Sequence, residues 1–340
     1  GNPLLWTLYA GFVWLPIAML LQAIRDASFT LSGEWALGRA PIHALGIGFF
    51  DAANQGAQEA AKELKDVEII YTGPAKATAE GQIEIINSLV AQNVKAIVIS
   101  ANDPDALVPA LKKAMARGIK VISFDSGVKK EGRQMHLNPS SNALIGEKLV
   151  KMTQEAIGPK GEIAVLSATA QATNQNIWIA EMKKVLAKPE FAGLKLVNVV
   201  YGDDQTDKSY REAQGLFKSY PNLKAIVAPT TVGIAAAAKA VQDEKKVGQI
   251  YVTGLGLPSE MAGHVKSGAV KSFAIWNPID LGYSSIHAVH AFMTGKAKGT
   301  KGEVISLGRV GKATLDENGE AAMAEPWSVL LLDDARVIHE

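Results

Sequence analysis

Residues 96–127 read AIVISANDPDALVPALKKAMARGIKVISFDSG, and this stretch predicts one strand–helix–strand unit. The runs Ala96–Ile99 and Val121–Phe124 are short and uniformly apolar, which is typical of strands buried on both faces of a parallel sheet. Between them the sequence favours a helix from Asp105 to Arg117. Gly118 suits its end, because glycine tolerates the left-handed backbone that often follows a helix.

The same alternation continues on both sides at intervals of about 30 residues, the size of a βαβ unit. A second series of units follows Asn138-Pro139, and the chain crosses again near Asn277-Pro278. We therefore expect an α/β protein with two doubly wound parallel-sheet lobes joined by a hinge. The other helices that the pattern predicts are 50–64, 79–92, 141–157, 175–187, 207–219, 233–242, 259–266 and 279–294.

Composition argues against several functional classes. The 340 residues contain 35 basic and 34 acidic side chains, so nothing indicates a nucleic-acid footprint. The chain has no cysteine, which excludes disulfides, thiolate nucleophiles and cysteine metal sites. Its six histidines lack metal-ligand spacing, and no complete dinucleotide fingerprint, Walker loop or nucleophile elbow occurs. We expect no catalytic residue, no metal and no cofactor, and therefore not an enzyme.

The N-terminal segment has a different character. Gly1–Ile24 carries no charged residue, and Leu4–Leu21 approaches the roughly 20 apolar residues that cross a bilayer as a helix. No basic residue precedes Arg25, which argues against a cleavable secretory signal. Residues 1–40 are expected to be either a membrane span or a foreign piece, with membrane contact through residues 4–24.

Four loops that follow predicted strands carry the polar and aromatic side chains of interest. Ligands of open α/β sheets bind outside the carboxyl ends of the strands, so these loops are expected to meet at one site. They hold aromatic rings, amides and a carboxylate, which suit a small polyhydroxylated molecule. The loops are Gly48–Asp51, Ala101–Pro104, Asp125–Gly127 and Ala228–Thr231.

Two of these loops leave alternatives open. A carboxylate such as Asp125 can bridge two adjacent hydroxyls, although aspartate also caps turns. Phe49 and Phe50 could stack on a sugar ring or simply pack on the core as a helix begins. By contrast, Asp103 or Asp105 is better explained as the N-cap of the helix that follows.

The second series offers two further candidate segments. Asn174, Gln175 and Asn176 open a helix next to Trp178, and three amides beside an indole suit sugar hydroxyls. A polar helix start, however, needs no ligand to explain it. Trp276-Asn277 lies at the second crossing, where the indole could stack on a ligand or pack in the hinge.

Taken in order, these segments resemble the periplasmic sugar-binding proteins of ABC importers, in the ribose-binding-protein class. The rhamnose-binding and autoinducer-2-binding branch is the most similar. The resemblance extends from about Gly48 to at least Ala324. The segments that carry it are 48–54, 100–107, 121–126, 173–178, 228–231, 253–258 and 274–282.

The resemblance implies a type I periplasmic-binding-protein fold whose lobes close around a monosaccharide. It also implies delivery of the sugar to an ABC permease in the inner membrane, from the periplasm of a Gram-negative bacterium. The ligand-binding residues that the resemblance implies are Phe49, Phe50, Asp125, Asn174, Gln175, Pro229, Thr231, Trp276 and Asn277. The same segments add Asn102, Asn176 and Trp178 as expected ligand-binding residues. Secondary candidates are His43, Asp103, Ser126 and Thr230.

The resemblance also favours one sugar class. Ser126 and Asn176 stand where ribose binders are expected to have arginines, and fewer charged donors suit a deoxyhexose, with rhamnose the first choice. The autoinducer-2 alternative tends to have an acidic residue at the position of Asn174. A second alternative, the sugar-sensing core of a transcriptional repressor, would need a basic N-terminal helix-turn-helix.

The expected domain organisation has three parts. After the segment 1–40, the first lobe comprises 41–138 plus about 279–308, and the second comprises 139–278 plus about 309–340. Residues 1–40 do not match the family, and they look more like a span of a polytopic membrane protein. His43 falls where the family has a lysine, and Pro41 interrupts the strand that should precede it.

Overall fold

The computed structural model describes residues 40–41, 47–323 and 328–331, all within one compact unit, Leu37–Glu340. The first lobe contains a four-stranded sheet in which every neighbouring pair is parallel. Its strands, in spatial order, are Glu320–Ala322, Met135–Asn138, Lys120–Phe124 and Ala96–Ile99. Every residue of Ala96–Ile99 is buried, as expected for a strand covered on both faces.

The second lobe repeats this architecture with a second parallel sheet. Its strands, in spatial order, are Leu194–Tyr201, Gly161–Ser167, Leu223–Ala228 and Tyr251–Gly254. Ser272–Ile275 continues the sheet through single bridges, including Leu255 with Ala274, and pairs antiparallel with Ser328–Leu331. Two parallel-sheet lobes are therefore present, and the predicted fold class is confirmed.

The helices begin and end close to the predicted positions. In the first lobe, helix Val108–Ala116 starts three residues later than predicted because Asp103 to Leu107 form a capped turn. The remaining helices are Gly48–Leu64, Ala79–Ala91, Asn142–Ile157, Thr173–Leu186, Thr206–Ser219, Thr231–Asp243, Pro258–Lys266 and Pro278–Met293.

The first and last of these helices pack closely in the first lobe because glycines lie at their contact. A Cβ atom on Gly56 would come within 1.8 Å of the Ile279 carbonyl oxygen, and one on Gly282 within 1.9 Å of the Ala53 carbonyl oxygen. The start of each helix, at Phe49 and at Pro278, thereby reaches the same edge of the lobe, where the site lies.

The tail corrects one part of the predicted domain organisation. We expected residues from about 309 to 340 in the second lobe, yet Glu320–Ala322 pairs with Met135–Asn138 of the first sheet. The side chain of Arg133 forms an ion pair with Glu320, which helps to hold the tail there. Within the described residues, Ser328–Leu331 is the part of the tail that joins the second lobe.

The beginning of the first lobe is described only in part. Ala40–Pro41 pairs parallel with Tyr71–Thr72. In the described ranges, no helix is long and apolar enough to cross a membrane. The apolar run Leu4–Leu21 and His43 lie outside those ranges.

Candidate functional site

A cavity of about 600 Å³, open to solvent, lies between the two lobes at the carboxyl ends of their strands. This is the position expected for ligands of open α/β sheets. The first lobe contributes loops after Ile99 and Phe124, and the second contributes loops after Ser167, Tyr201 and Ala228. The residues that line it are Ile47, Phe49, Phe50, Ala101, Asn102, Asp125, Ser126, Ala168, Thr169, Ala172, Asn174, Gln175, Trp178, Asp204, Pro229, Thr230, Thr231, Leu255, Ile275 and Trp276.

Aromatic rings form one continuous wall of this cavity. Phe49 meets Phe50 edge-to-face with centroids 5.1 Å apart, and Phe49 meets Trp276 in the same way at 6.1 Å. Trp276 in turn contacts Trp178 of the second lobe at 5.4 Å. The Trp178 indole is fixed because its Nε1–H donates to Asn142 Oδ1 at 2.9 Å. Rings held in this way offer rigid apolar faces for the C–H side of a sugar.

Asp125 is the central polar group of the first lobe. It follows strand Lys120–Phe124 with φ at +56°, which turns the chain sharply at the sheet edge. Its Oδ2 accepts a hydrogen bond from Ser100 Oγ at 3.0 Å. The pKa of Asp125 is raised to about 7, mainly because the carboxyl group is buried; the charge of Asp204 contributes to the rise, and hydrogen bonds from Ser100 and Asn174 oppose it.

Asn174 brings the second lobe into contact with that carboxylate. Its Nδ2 donates to Asp125 Oδ1 at 3.1 Å, and its own Oδ1 accepts from the backbone N–H of Gln175 at 2.7 Å. A second bond between the lobes lies beside it, from Thr173 Oγ1 to the Gly127 carbonyl at 2.9 Å. The opening of helix Thr173–Leu186 therefore touches the first lobe directly.

Several cavity side chains keep polar atoms available for a ligand. Asn102 and Ser126 are buried, and Asn102 Oδ1 and Ser126 Oγ have no hydrogen-bond partner among the described residues. Gln175 Oε1 accepts hydrogen bonds from Ser167 Oγ and from the Ala168 N–H. The amide nitrogen of Gln175 therefore points away from these two donors. Buried polar atoms are normally paired, so unpaired ones in a cavity mark places where ligand hydroxyls can bind.

Thr230 and Asp204 form the polar part of the second lobe. Thr230 caps helix Thr231–Asp243, because its Oγ1 accepts from the Gly233 N–H at 3.3 Å. The same hydroxyl donates to Asp204 Oδ1 at 2.5 Å. The cavity thus holds carboxylates from both lobes, and none of the described residues that line it is a lysine, arginine or histidine.

Three of the predicted site residues lie elsewhere. Asn176 points away from the cavity, and its amide donates to the Ala170 carbonyl at 2.8 Å. Asn277 is the N-cap of helix Pro278–Met293, accepting from the Ile279 N–H at 3.0 Å. Asp103 accepts from the N–H groups of Asp105 and Ala106 and so caps the turn before helix Val108–Ala116, whose own N-cap is Leu107 and not Asp103 or Asp105. Asn176, Asn277 and Asp103 therefore do not line the cavity, and a ligand role for them stays a prediction.

The remaining candidates within the described residues all line the cavity. The sequence analysis missed Asp204 and the small or apolar side chains of the wall. Asp204 had a detectable signal, since it follows the strand Leu194–Tyr201 just as Asp125 follows its own strand. The missed wall residues are Ile47, Ala101, Ala168, Thr169, Ala172, Leu255 and Ile275.

A second cavity lies behind Asp125 and Asn174, and the side chains of Arg133 and His136 that line it already have hydrogen-bond partners. Arg133 donates to the Val128 carbonyl and forms an ion pair with Glu320 at 2.7 Å. His136 uses both ring nitrogens, with Ser123 and Asn138, and burial lowers its pKa to about 3. In the described ranges no cluster of histidine and acidic side chains could hold a metal ion.

Comparisons with known proteins identify related families. The family model for the periplasmic binding protein domain matches residues 41–297, and the model for the NnrS protein matches residues 1–53. A curated relative, the D-ribose/D-allose-binding protein of Pseudomonas aeruginosa, is 27% identical over 237 residues, which is 66% of this chain and 72% of the relative.

Solved structures agree with the family match. An ABC transporter solute-binding protein from Clostridium phytofermentas with bound L-rhamnose is 33% identical, with a TM-score of 0.84, covering 89% of this chain and 98% of that one. A sugar ABC transporter protein from Actinomyces odontolyticus is 39% identical, with a TM-score of 0.69, covering 88% and 96%.

Proposed function

The chain belongs to the periplasmic binding protein domain family, and we propose that it captures a neutral deoxyhexose, with L-rhamnose the first candidate. Its relatives are sugar-binding components of ABC transporters and not enzymes, so a sugar solute-binding role of a general kind follows from the family. The identity of the sugar is our proposal, and its main support is the lining of the cavity between the lobes.

The charge of the cavity favours a neutral ligand. Carboxylates of Asp125 and Asp204 face it, and no cationic side chain of the described residues lines it. An anionic sugar would bring further negative charge into a site that partly removes it from water, and burying an unpaired charge is costly. Hydroxyl groups, by contrast, can donate to the carboxylates and to Asn102 Oδ1 while accepting from amide N–H groups.

The apolar wall favours a sugar that has lost a hydroxyl. Phe49, Trp178 and Trp276 form a continuous aromatic surface, and Leu255 and Ile275 line the cavity as well. A methyl group against such a wall gains about 0.8 kcal/mol from burial, whereas a hydroxyl there would lose its hydrogen bonds with water. The rhamnose-bound relative supports the same choice.

Delivery to an inner-membrane permease from the periplasm is the transport step that we propose with this binding role. The geometry suits capture and release, because the groups that would contact the sugar come from both lobes. A sugar bound to both lobes at once favours the closed arrangement, and its release accompanies opening.

A thermal-shift screen tests the proposed function. The purified protein is heated with L-rhamnose, L-fucose, D-ribose, D-allose, D-glucose, autoinducer-2 and D-galacturonate, because a ligand of the native state raises the melting temperature. We expect the largest rise with L-rhamnose or another deoxyhexose, and none with D-galacturonate. The Asp125→Ala variant is the control and should show a smaller rise. No rise with any of the sugars would refute the proposal.

A further inference from the structure

Asp204 lies in the loop that follows strand Leu194–Tyr201 and lines the cavity from the second lobe. The loop holds Asp203 and Asp204 at positive φ, 54° and 50°, a conformation that aspartate and asparagine tolerate better than most residues. Asp203 forms an ion pair with Lys208 at 2.5 Å and does not line the cavity. Two adjacent aspartates thus have separate surroundings.

The carboxylates of Asp125 and Asp204 reach the cavity from opposite lobes. Each is held by a hydroxyl of its own lobe, Asp125 by Ser100 and Asp204 by Thr230. They are close enough for the charge of Asp204 to raise the pKa of Asp125. Like charges that approach across a cleft oppose its closure, unless groups placed between them donate hydrogen bonds to both.

The cavity shows independently that it is built to receive such groups. Asn102 and Ser126 are 4% and 3% exposed, and each has a polar atom without a partner among the described residues. A buried polar atom left unpaired has lost its hydrogen bonds to water without replacement, which is unfavourable. Both residues line the same cavity as the two carboxylates, so a hydroxyl-bearing ligand can satisfy all four groups together.

We propose that Asp204 is a second-lobe ligand-binding residue that accepts a sugar hydroxyl and makes closure of the lobes depend on a hydroxyl-bearing ligand. This inference rests on the proposed sugar-binding function. In the closed complex, the ligand hydroxyls donate to Asp125 on one side and to Asp204 on the other. Without ligand, the facing carboxylates hold the lobes further apart.

The Asp204→Asn and Asp203→Asn variants form a matched pair for the test. Asparagine keeps the size and the tolerance of positive φ at both positions, and at position 204 it can still accept from Thr230. Asp204→Asn removes a charge that faces the cavity, whereas Asp203→Asn removes one that pairs with Lys208. A general effect of lost charge would therefore appear in both variants.

Two measurements decide the matter. The first is calorimetric titration with L-rhamnose and D-ribose. For the sugar that the wild type binds more tightly, Asp204→Asn should lower the affinity by about tenfold, or about 1.4 kcal/mol, and Asp203→Asn by less than about twofold. By small-angle X-ray scattering without sugar at pH 8, Asp204→Asn should be more compact than the wild type and Asp203→Asn should not.

Unchanged affinity or unchanged compactness of Asp204→Asn would overturn the inference, as would equal effects of both variants. These results differ from failure of the proposed function, in which the wild type itself binds neither sugar. In that case the scattering comparison still tests whether repulsion between the carboxylates of Asp125 and Asp204 holds the lobes apart.

Discussion

Asn174 of the second lobe donates a 3.1 Å hydrogen bond to the buried carboxylate of Asp125 in the first lobe. This bond forms the wall between the sugar cavity and the second cavity behind it, since both residues line both cavities. A polar contact between the lobes therefore lies at the point where the ligand is proposed to bind. Ligand affinity, protonation and closure should all respond to changes at these two residues.

The first prediction concerns the amides that open helix Thr173–Leu186. Asn174→Ala removes the bond to Asp125 and an amide that lines the cavity, so L-rhamnose affinity should fall by about tenfold or more, about 1.4 kcal/mol. Asn176→Ala is the matched control, because that amide binds the Ala170 carbonyl away from the cavity. Its affinity should stay within about twofold of the wild type by calorimetric titration. A larger loss in Asn176→Ala would contradict the assignment.

The second prediction is a pH dependence of stability. The pKa of Asp125 is about 7 in the folded protein and near 3.8 when unfolded, so the folded state binds more protons between these values. The contribution of Asp125 to the free energy of unfolding therefore falls as pH rises from about 4 to about 7, and is constant above. In the Asp125→Asn variant this fall in the free energy of unfolding with rising pH should be absent.

Thermal melts of the ligand-free proteins test it. Asp125→Asn should gain melting temperature relative to the wild type at pH 8, and gain little at pH 4.5, while losing sugar affinity. The matched control is Asp203→Asn, whose carboxylate is paired with Lys208 and partly exposed. A difference between Asp125→Asn and the wild type that does not change with pH would count against a buried, proton-binding carboxylate.

The third prediction separates a helix cap from a ligand contact. Asn277 accepts from the Ile279 N–H and donates to Asp280 Oδ2 at 2.9 Å. Asn277→Ala should lower the free energy of unfolding by about 1 kcal/mol, as loss of an N-cap does. Sugar affinity should change by less than about twofold. Denaturant unfolding and calorimetric titration give the two values, and a large loss of affinity would restore Asn277 to the site.

The fourth prediction concerns the N-terminal segment, which the NnrS family model matches together with the first residues of helix Gly48–Leu64. A chain that starts at Leu37 should bind its sugar as the full chain does and be more soluble, because it lacks the apolar run Leu4–Leu21. A chain that starts at Ile47 also loses Ala40–Pro41, which pairs with Tyr71–Thr72, and should melt at a lower temperature. Loss of sugar binding in the chain from Leu37 would show that the segment completes the lobe.

Much of the fold could be predicted because it follows from local patterns. Uniformly apolar runs such as Ala96–Ile99 mark buried parallel strands, and the rule that ligands bind at strand ends located Asp125 and Thr231. The tail strand Glu320–Ala322 is different, because it has three residues and pairs with a strand more than 180 positions earlier. Nothing in so short a run specifies its partner.

Two of the predicted site residues lie away from the cavity for equally specific reasons. Residues two apart on a helix point to nearly opposite sides, so Asn174 and Asn176 could not both face the cavity. Trp178, four residues after Asn174, lies on the same face of the helix as Asn174. Asn277 precedes a proline at the first position of a helix, a common capping pattern. Asp204 is less evident from the sequence than Asp125, because it lies three residues beyond strand Leu194–Tyr201, whereas Asp125 follows Lys120–Phe124 directly.

Calorimetric titration of the full chain with L-rhamnose and with D-ribose tests the central claim most directly. The account predicts one site, with a lower dissociation constant for L-rhamnose than for D-ribose, because the cavity combines an aromatic wall with carboxylates and no cationic lining among the described residues. Tighter binding of D-ribose, or no heat of binding with either sugar or any other deoxyhexose, would contradict it.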